Sequence, residues 1–150
     1  MCVRGSSCVV ETMGDDNKVL GSNNVYYIDG NTLAAKLLNP SEQKRVIVID
    51  VRDEDFSDSM IAGTTINVPS NCFSQATLEK ALDSTGKSLA DFQTVVFHCA
   101  FSKQRGPSCA KLCESFYPLH QFDIYVLRGG FINWSVQHPE LLQPSKSYSF

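Results

Sequence analysis

Five residues separate Cys99 from Arg105 in the stretch His98-Cys99-Ala100-Phe101-Ser102-Lys103-Gln104-Arg105, and these two side chains supply complementary halves of one chemistry. A cysteine attacks as its thiolate, which forms most readily where the local field is positive. An arginine presents a planar fork of donors that pairs with two oxygens of one anion. Between them, the backbone amides of Ala100, Phe101, Ser102, Lys103 and Gln104 are enough to line a ring of N–H groups around a tetrahedral oxyanion. Ser102 is close enough in sequence for its hydroxyl to donate to the sulfur. A single cysteine at a strand end is usually a small buried hydrophobe. The arginine, the serine and the helix start that follow make this one a candidate nucleophile seated inside its own anion receptor.

The flanking residues say how such a loop would be held. Phe92 to His98 is a short uncharged run rich in β-branched and aromatic residues, which reads as a buried strand ending near Cys99. Gly106-Pro107-Ser108 opens a segment with Ala110, Leu112, Cys113 and Phe116 at helical spacing, and proline is tolerated in a first helical turn. The loop therefore joins a strand to a helix, whose positive end adds to the field favouring thiolate and bound anion.

Around this unit the chain alternates strand and helix signals. Val25–Ile28 reads as a strand, and Asp29-Gly30-Asn31 as turn and cap for a helix through Leu38, stopped by Asn39-Pro40. Val46 to Val51 is too uniformly apolar to be half exposed, which suits the centre of a parallel sheet. Ile66–Pro69 reads as a third strand, Ser74–Leu82 as a helix, and Ser88–Phe92 as a shorter one. Ile124–Leu127 supplies another buried strand, Arg128-Gly129-Gly130 a turn with positive φ, and Phe131 to Trp134 the start of a last helix. The expectation is an α/β fold with a five-stranded, mostly parallel sheet flanked by helices. Ligands of such sheets bind beyond the carboxyl ends of the strands, where the loops at Cys99, Asp50–Asp53 and Arg128–Gly130 should converge.

The chain has 150 residues, 43% hydrophobic content and a net charge of −3, which fits one domain and argues against broad nucleic-acid binding. Residues 1–24 read as a flexible tail, 25–140 as the domain and 141–150 as a second tail. Nothing approaches the run of about 18 apolar residues that spans a membrane, and the polar start lacks a signal-peptide core, so the expected location is the cytoplasm, with the nucleus as an alternative. The six cysteines show no CxxC pair, and Cys2 and Cys8 fall in the first tail. Cys109 and Cys113, four residues apart, share a helix face. The three histidines have no partner at metal-ligand spacing, and no glycine-rich nucleotide loop is present, so no metal and no tightly bound cofactor is expected.

Three separated segments carry a resemblance: Ile49-Asp50-Val51-Arg52, His98-Cys99 with Ser102-Lys103-Gln104-Arg105-Gly106-Pro107, and Leu127-Arg128-Gly129-Gly130-Phe131 with Trp134. Together they resemble the rhodanese fold, in particular its branch of M-phase inducer phosphatases and eukaryotic arsenate reductases. The resemblance spans about Val25 to His138. It implies that Cys99 is the nucleophile, Arg105 the clamp on the oxyanion, and the amides of Ala100 to Gln104 the rest of the cradle. Sulfurtransferases of the fold typically carry a loop one residue shorter, so sulfur transfer is the least favoured activity. The M-phase inducer loop has glutamates where this chain has Ala100 and Gln104, and neither replacement transfers a proton. The same family often guards its nucleophile with a cysteine where this chain has Val51. Cys72 and Cys109 are left as candidate resolving cysteines. Asp50 is read as a buried acceptor for loop amides, Arg52 as its ionic neighbour and His98 as a supporting hydrogen-bonder.

The functional expectation is a reductase of arsenate or antimonate that uses glutathione and glutaredoxin as external reductants. The alternative is a tyrosine or dual-specificity phosphatase working through a phosphocysteine on a phosphoprotein. A non-catalytic binding module is the third reading, and retention of both Cys99 and Arg105 weighs against it.

Overall fold

The computed structural model describes residues 17–145. Five strands form one parallel sheet: β1 (Val25–Ile28), β2 (Val46–Asp50), β4 (Thr65–Asn67), β5 (Thr94–His98) and β6 (Asp123–Leu127), in the order β1-β6-β5-β2-β4. The helices are α1 (Gly30–Leu38), α2 (Pro40–Gln43), α3 (Gln75–Asp83), α4 (Arg105–Phe116) and α5 (Gly130–Gln137), with short 3-10 turns at Ser70–Cys72, Leu89–Asp91 and Pro139–Leu141.

The central strands are buried on both faces because their apolar residues have no polar alternation. Ile47, Ile49, Val95 and Phe97 face a core shared with Leu78 and Leu82 of α3 and Cys109, Ala110 and Cys113 of α4. Val46, Val48 and Val96 face the other layer, with Leu33 and Leu37 of α1 and Phe131 and Trp134 of α5. Residues one apart on a strand thus feed opposite cores.

Several boundaries differ from the sequence reading, each for a physical reason. Pro40 ends α1 but also opens α2, where a missing N–H costs nothing and Asn39 accepts from the amide of Ser41. The strand read at Ile66–Pro69 is Thr65–Asn67, since Pro69 has no N–H to give a ladder. The helix after the Cys99 loop starts at Arg105, two residues ahead of its proline. Residues 17–24, read as tail, are tied down: Val19 is buried, Lys18 bridges Tyr26, and Val19 N donates to Val25 O. In the second tail, Leu141 is buried and β7 (Leu142–Pro144) pairs antiparallel with β3 (Ser59–Ile61), a ribbon the sequence did not suggest. Cys2 and Cys8 lie outside the described residues.

Candidate functional site

Parallel pairing aligns the ends of β2 and β5, so that Asp50 sits beside His98 and Cys99 follows at the carboxyl edge of the sheet. The thiol of Cys99 is nearly enclosed, at 3% exposure. Its Sγ accepts from the amide of Ser102 at 3.2 Å and from that of Gly106, in the first turn of α4, at 3.4 Å. The chain can fold back on the sulfur because Ser102 adopts φ 57°, the one positive φ among described non-glycine residues. The Ser102 hydroxyl does not donate to the sulfur, as the sequence suggested. It accepts instead from the Cys99 amide, at 3.4 Å, because the left-handed turn brings the backbone N–H to the thiol in its place. Gly106 was not among the amides expected to line the cradle, although a residue directly after Arg105 at a helix start is a natural donor.

Ala100 is half-buried, Phe101 exposed at the rim, and Lys103 and Gln104 exposed. Arg105 is turned toward the loop after β2. Its Nη1 donates to Asp55 Oδ1 at 2.9 Å and to Asp53 Oδ2 at 3.2 Å, and its Nη2 to Asp55 Oδ2 at 2.7 Å. The fork that suits an oxyanion is engaged by a carboxylate of the same shape. These bonds hold the Asp55 carboxyl down at about 2 and push the Arg105 guanidinium up. Burial opposes the shift at Asp53, but the Ser70 hydroxyl, the Asn71 amide and Arg105 still keep its carboxyl below the usual range.

The acidic loop is itself held by a buried ion pair. Arg52 Nη2 donates to Asp50 Oδ2 at 2.6 Å, Arg52 Nε to Asp50 Oδ1 at 3.0 Å, and the Arg52 amide to the same Oδ1 at 3.0 Å. Nη2 also reaches the Ser59 carbonyl, and the guanidinium lies 3.9 Å from the centre of the Phe131 ring. Charge in this place is tolerable because each guanidinium nitrogen has an acceptor, Nη1 donating to Ser57 Oγ at 3.2 Å. His98 is fully buried, with Nε2 3.7 Å from Asp50 Oδ2 and Nδ1 3.3 Å from the Cys99 carbonyl. Burial pushes the His98 imidazole down, toward the neutral form.

Among the described residues, Cys72, Cys99, Cys109 and Cys113 are free thiols. Cys72 is half-buried in the turn after β4, where its Sγ faces the Pro69 carbonyl. Burial pushes the Cys109 thiol up to about 12, with the charges of Asp53 and Cys99 adding to the effect, and burial does the same to Cys113. Neither is a ready nucleophile at neutral pH.

The third loop also arrives. Gly129 and Gly130 both have left-handed φ, 84° and 65°, and the start of α5 bonds back to the loop: Phe131 N to Cys99 O at 2.9 Å and Ile132 N to Ala100 O at 3.0 Å.

An enclosed thiol with two amides directed at its sulfur, in a loop that leads from the carboxyl edge of a parallel sheet into the helix beginning at Arg105, defines an α/β domain built around a cysteine loop. Residues 33–137 match the family described as rhodanese-like domain, and the chain belongs to that family. Its relatives include arsenate reductase 2.1 of Oryza sativa subsp. japonica, 38% identical over 109 residues that cover 69% of this chain and 65% of the relative. The chain thus matches just under two thirds of that protein's length. The dual specificity phosphatase Cdc25 of Arabidopsis thaliana is 30% identical, covering 67% of this chain and 69% of its own length. Among solved structures, an As-Sb reductase from Leishmania major superposes with a TM-score of 0.65 at 28% identity, covering 80% of this chain and 85% of that one.

Proposed function

We propose that the protein reduces arsenate, or a related pentavalent oxyanion, with Cys99 as nucleophile. The observation that carries this reading is a thiol already holding two amide donors, in a loop that ends at Arg105 and in which Ala100 and Gln104 offer no proton-transferring group. The reductase names of the rice and Leishmania relatives support it.

In the first step the Cys99 thiolate attacks arsenic while Arg105 and the loop amides hold the oxygens. A sulfur–arsenic bond forms and one oxygen departs as water, taking its protons from the arsenate and solvent. A thiol of the glutathione class then attacks Cys99 Sγ. The sulfur–arsenic bond breaks, its electron pair stays on arsenic, and arsenite leaves. Cys99 is left in a mixed disulfide, and a second thiol, of the glutaredoxin class, returns it to the thiolate. One arsenic is reduced by two electrons and one disulfide is formed, so the sequence balances. His98, Asp50 and Arg52 support the loop without touching the substrate. Such thiol partners fit a cytoplasmic location, and no described helix is long and apolar enough to cross a membrane.

The same loop would form a phosphocysteine with an aryl phosphate, whose leaving group needs little proton assistance. The phosphatase relative supports this as the second reading. One experiment separates them: parent and Cys99→Ser are compared on arsenate with glutathione and glutaredoxin, and on p-nitrophenyl phosphate. Efficient Cys99-dependent arsenite formation with slow phosphate release supports the reductase. Dominant phosphate release, or arsenite formation unaffected by Cys99→Ser, overturns it.

A further inference from the structure

Two helices present their amino ends to residues 99–106, and they serve different partners there. α4 gives the Gly106 amide to Cys99 Sγ. α5 gives the Phe131 and Ile132 amides to the carbonyls of Cys99 and Ala100, at 2.9 and 3.0 Å. In a trans peptide the N–H points opposite to its C=O. Fixing the Cys99 and Ala100 carbonyls toward α5 therefore turns the Ala100 and Phe101 N–H groups away from α5.

The approach requires a residue without a side chain. A Cβ at Gly130 would fall 2.4 Å from Ala100 O, 2.7 Å from Ala100 C and 2.7 Å from Cys99 O, all of them backbone atoms that move only if the loop moves. With φ of 65°, the position also lies in the left-handed region. Gly129 shares that conformation at φ 84°, yet a Cβ there meets the Asn133 side chain, nearest at 2.8 Å, and not the loop.

We propose that Gly130 and the first-turn amides of α5 form a positioning element that aims the Ala100 and Phe101 N–H groups at the bound oxyanion. This rests on the oxyanion reading given above. Neither Gly130 nor Ile132 touches the anion; both act through the carbonyls of the loop. The first N–H groups of a helix have no partner within it, so α5 spends donors it does not need to orient donors the substrate does.

The test compares the full chain with Gly130→Ala, Ile132→Pro and Gly129→Ala. The readout is the concentration of inorganic arsenate that protects Cys99 from iodoacetamide, followed by the mass of the peptide containing Cys99, with inorganic phosphate as a second probe. Gly129→Ala carries the left-handed strain without touching the loop. Ile132→Pro deletes one N–H at a position where a helix tolerates proline, and Ile132 is 49% exposed, so this variant serves even if Gly130→Ala does not fold. The protecting concentration should rise roughly ten-fold or more in Gly130→Ala and Ile132→Pro, the scale of a lost hydrogen bond to a charged group. Gly129→Ala should stay close to the parent. In turnover, KM for arsenate should rise more than kcat falls. Equal protection across all four proteins overturns the inference. Equal weakening in Gly129→Ala also overturns it, because the effect would then follow strain and not aim. Absence of protection in the parent itself overturns the oxyanion reading, and the inference with it.

Discussion

Arg105 and Asp55 face each other fork to fork, with Nη2 2.7 Å from Oδ2 and Nη1 2.9 Å from Oδ1. On the oxyanion reading, the carboxylate occupies the donors that the substrate would take and competes with it. Asp55→Asn should lower KM for arsenate by about two- to five-fold with little change in kcat, the scale of a partly exposed ion pair. Steady-state kinetics on both proteins check this. A higher KM would mean that Asp55 orients Arg105 and does not compete with the anion.

Arg105→Lys keeps a positive charge but loses the planar pair of donors. Anion protection of Cys99 should weaken by about ten-fold or more, as for loss of a charge-assisted hydrogen bond. The far-UV spectrum should be unchanged, because Arg105 is partly exposed and its bidentate partner Asp55 is on the surface.

Asp50→Asn leaves the buried Arg52 guanidinium without its counter-charge. Breaking a buried pair from one side costs roughly 3–5 kcal/mol. The urea midpoint should drop accordingly, whereas changing both residues to apolar ones of similar volume should cost less than the single change. A single Asn variant as stable as the parent would remove Asp50 from its structural role.

The pH dependence has a definite sign. In the folded state the Asp55 carboxyl is held at about 2 against an ordinary value of 3.8, and Asp53 is also lowered. Between those values the unfolded chain binds more protons than the folded one, so stability is complete above about pH 4 and is lost as pH falls toward 2. Asp55→Asn should flatten this part of the curve. Urea midpoints between pH 5 and pH 2.5 measure it, and an unchanged slope would show that Arg105 leaves Asp55 in solution.

What could be read from the sequence, and what could not, divides along range of interaction. β2 and β5 are largely apolar runs whose double burial follows from composition, and the Cys99 loop is a local motif that begins where β5 ends. β3 and β7 are three residues each, too short for a period, and β7 includes a proline that only an edge pairing accepts. Val19 was hidden by its polar neighbours. The pairing of Asp53 and Asp55 with Arg105 has no signature in the sequence, because some fifty positions separate the partners and no spacing rule reaches that far. The Gly129-Gly130 pair announced a positive-φ turn, but that Gly130 would press against Ala100 became evident only in three dimensions.

Ser102 holds φ at 57° and binds the thiol through its own amide. A non-glycine residue in that region costs about 1–3 kcal/mol, which the fold must supply at all times. The ring is thus a mould cast during folding, and little ordering remains for the moment of encounter. On the oxyanion reading, anions whose oxygens match the mould need little rearrangement of the loop to be held. Thermal endurance is surrendered for readiness, and Ser102 is where the exchange is made.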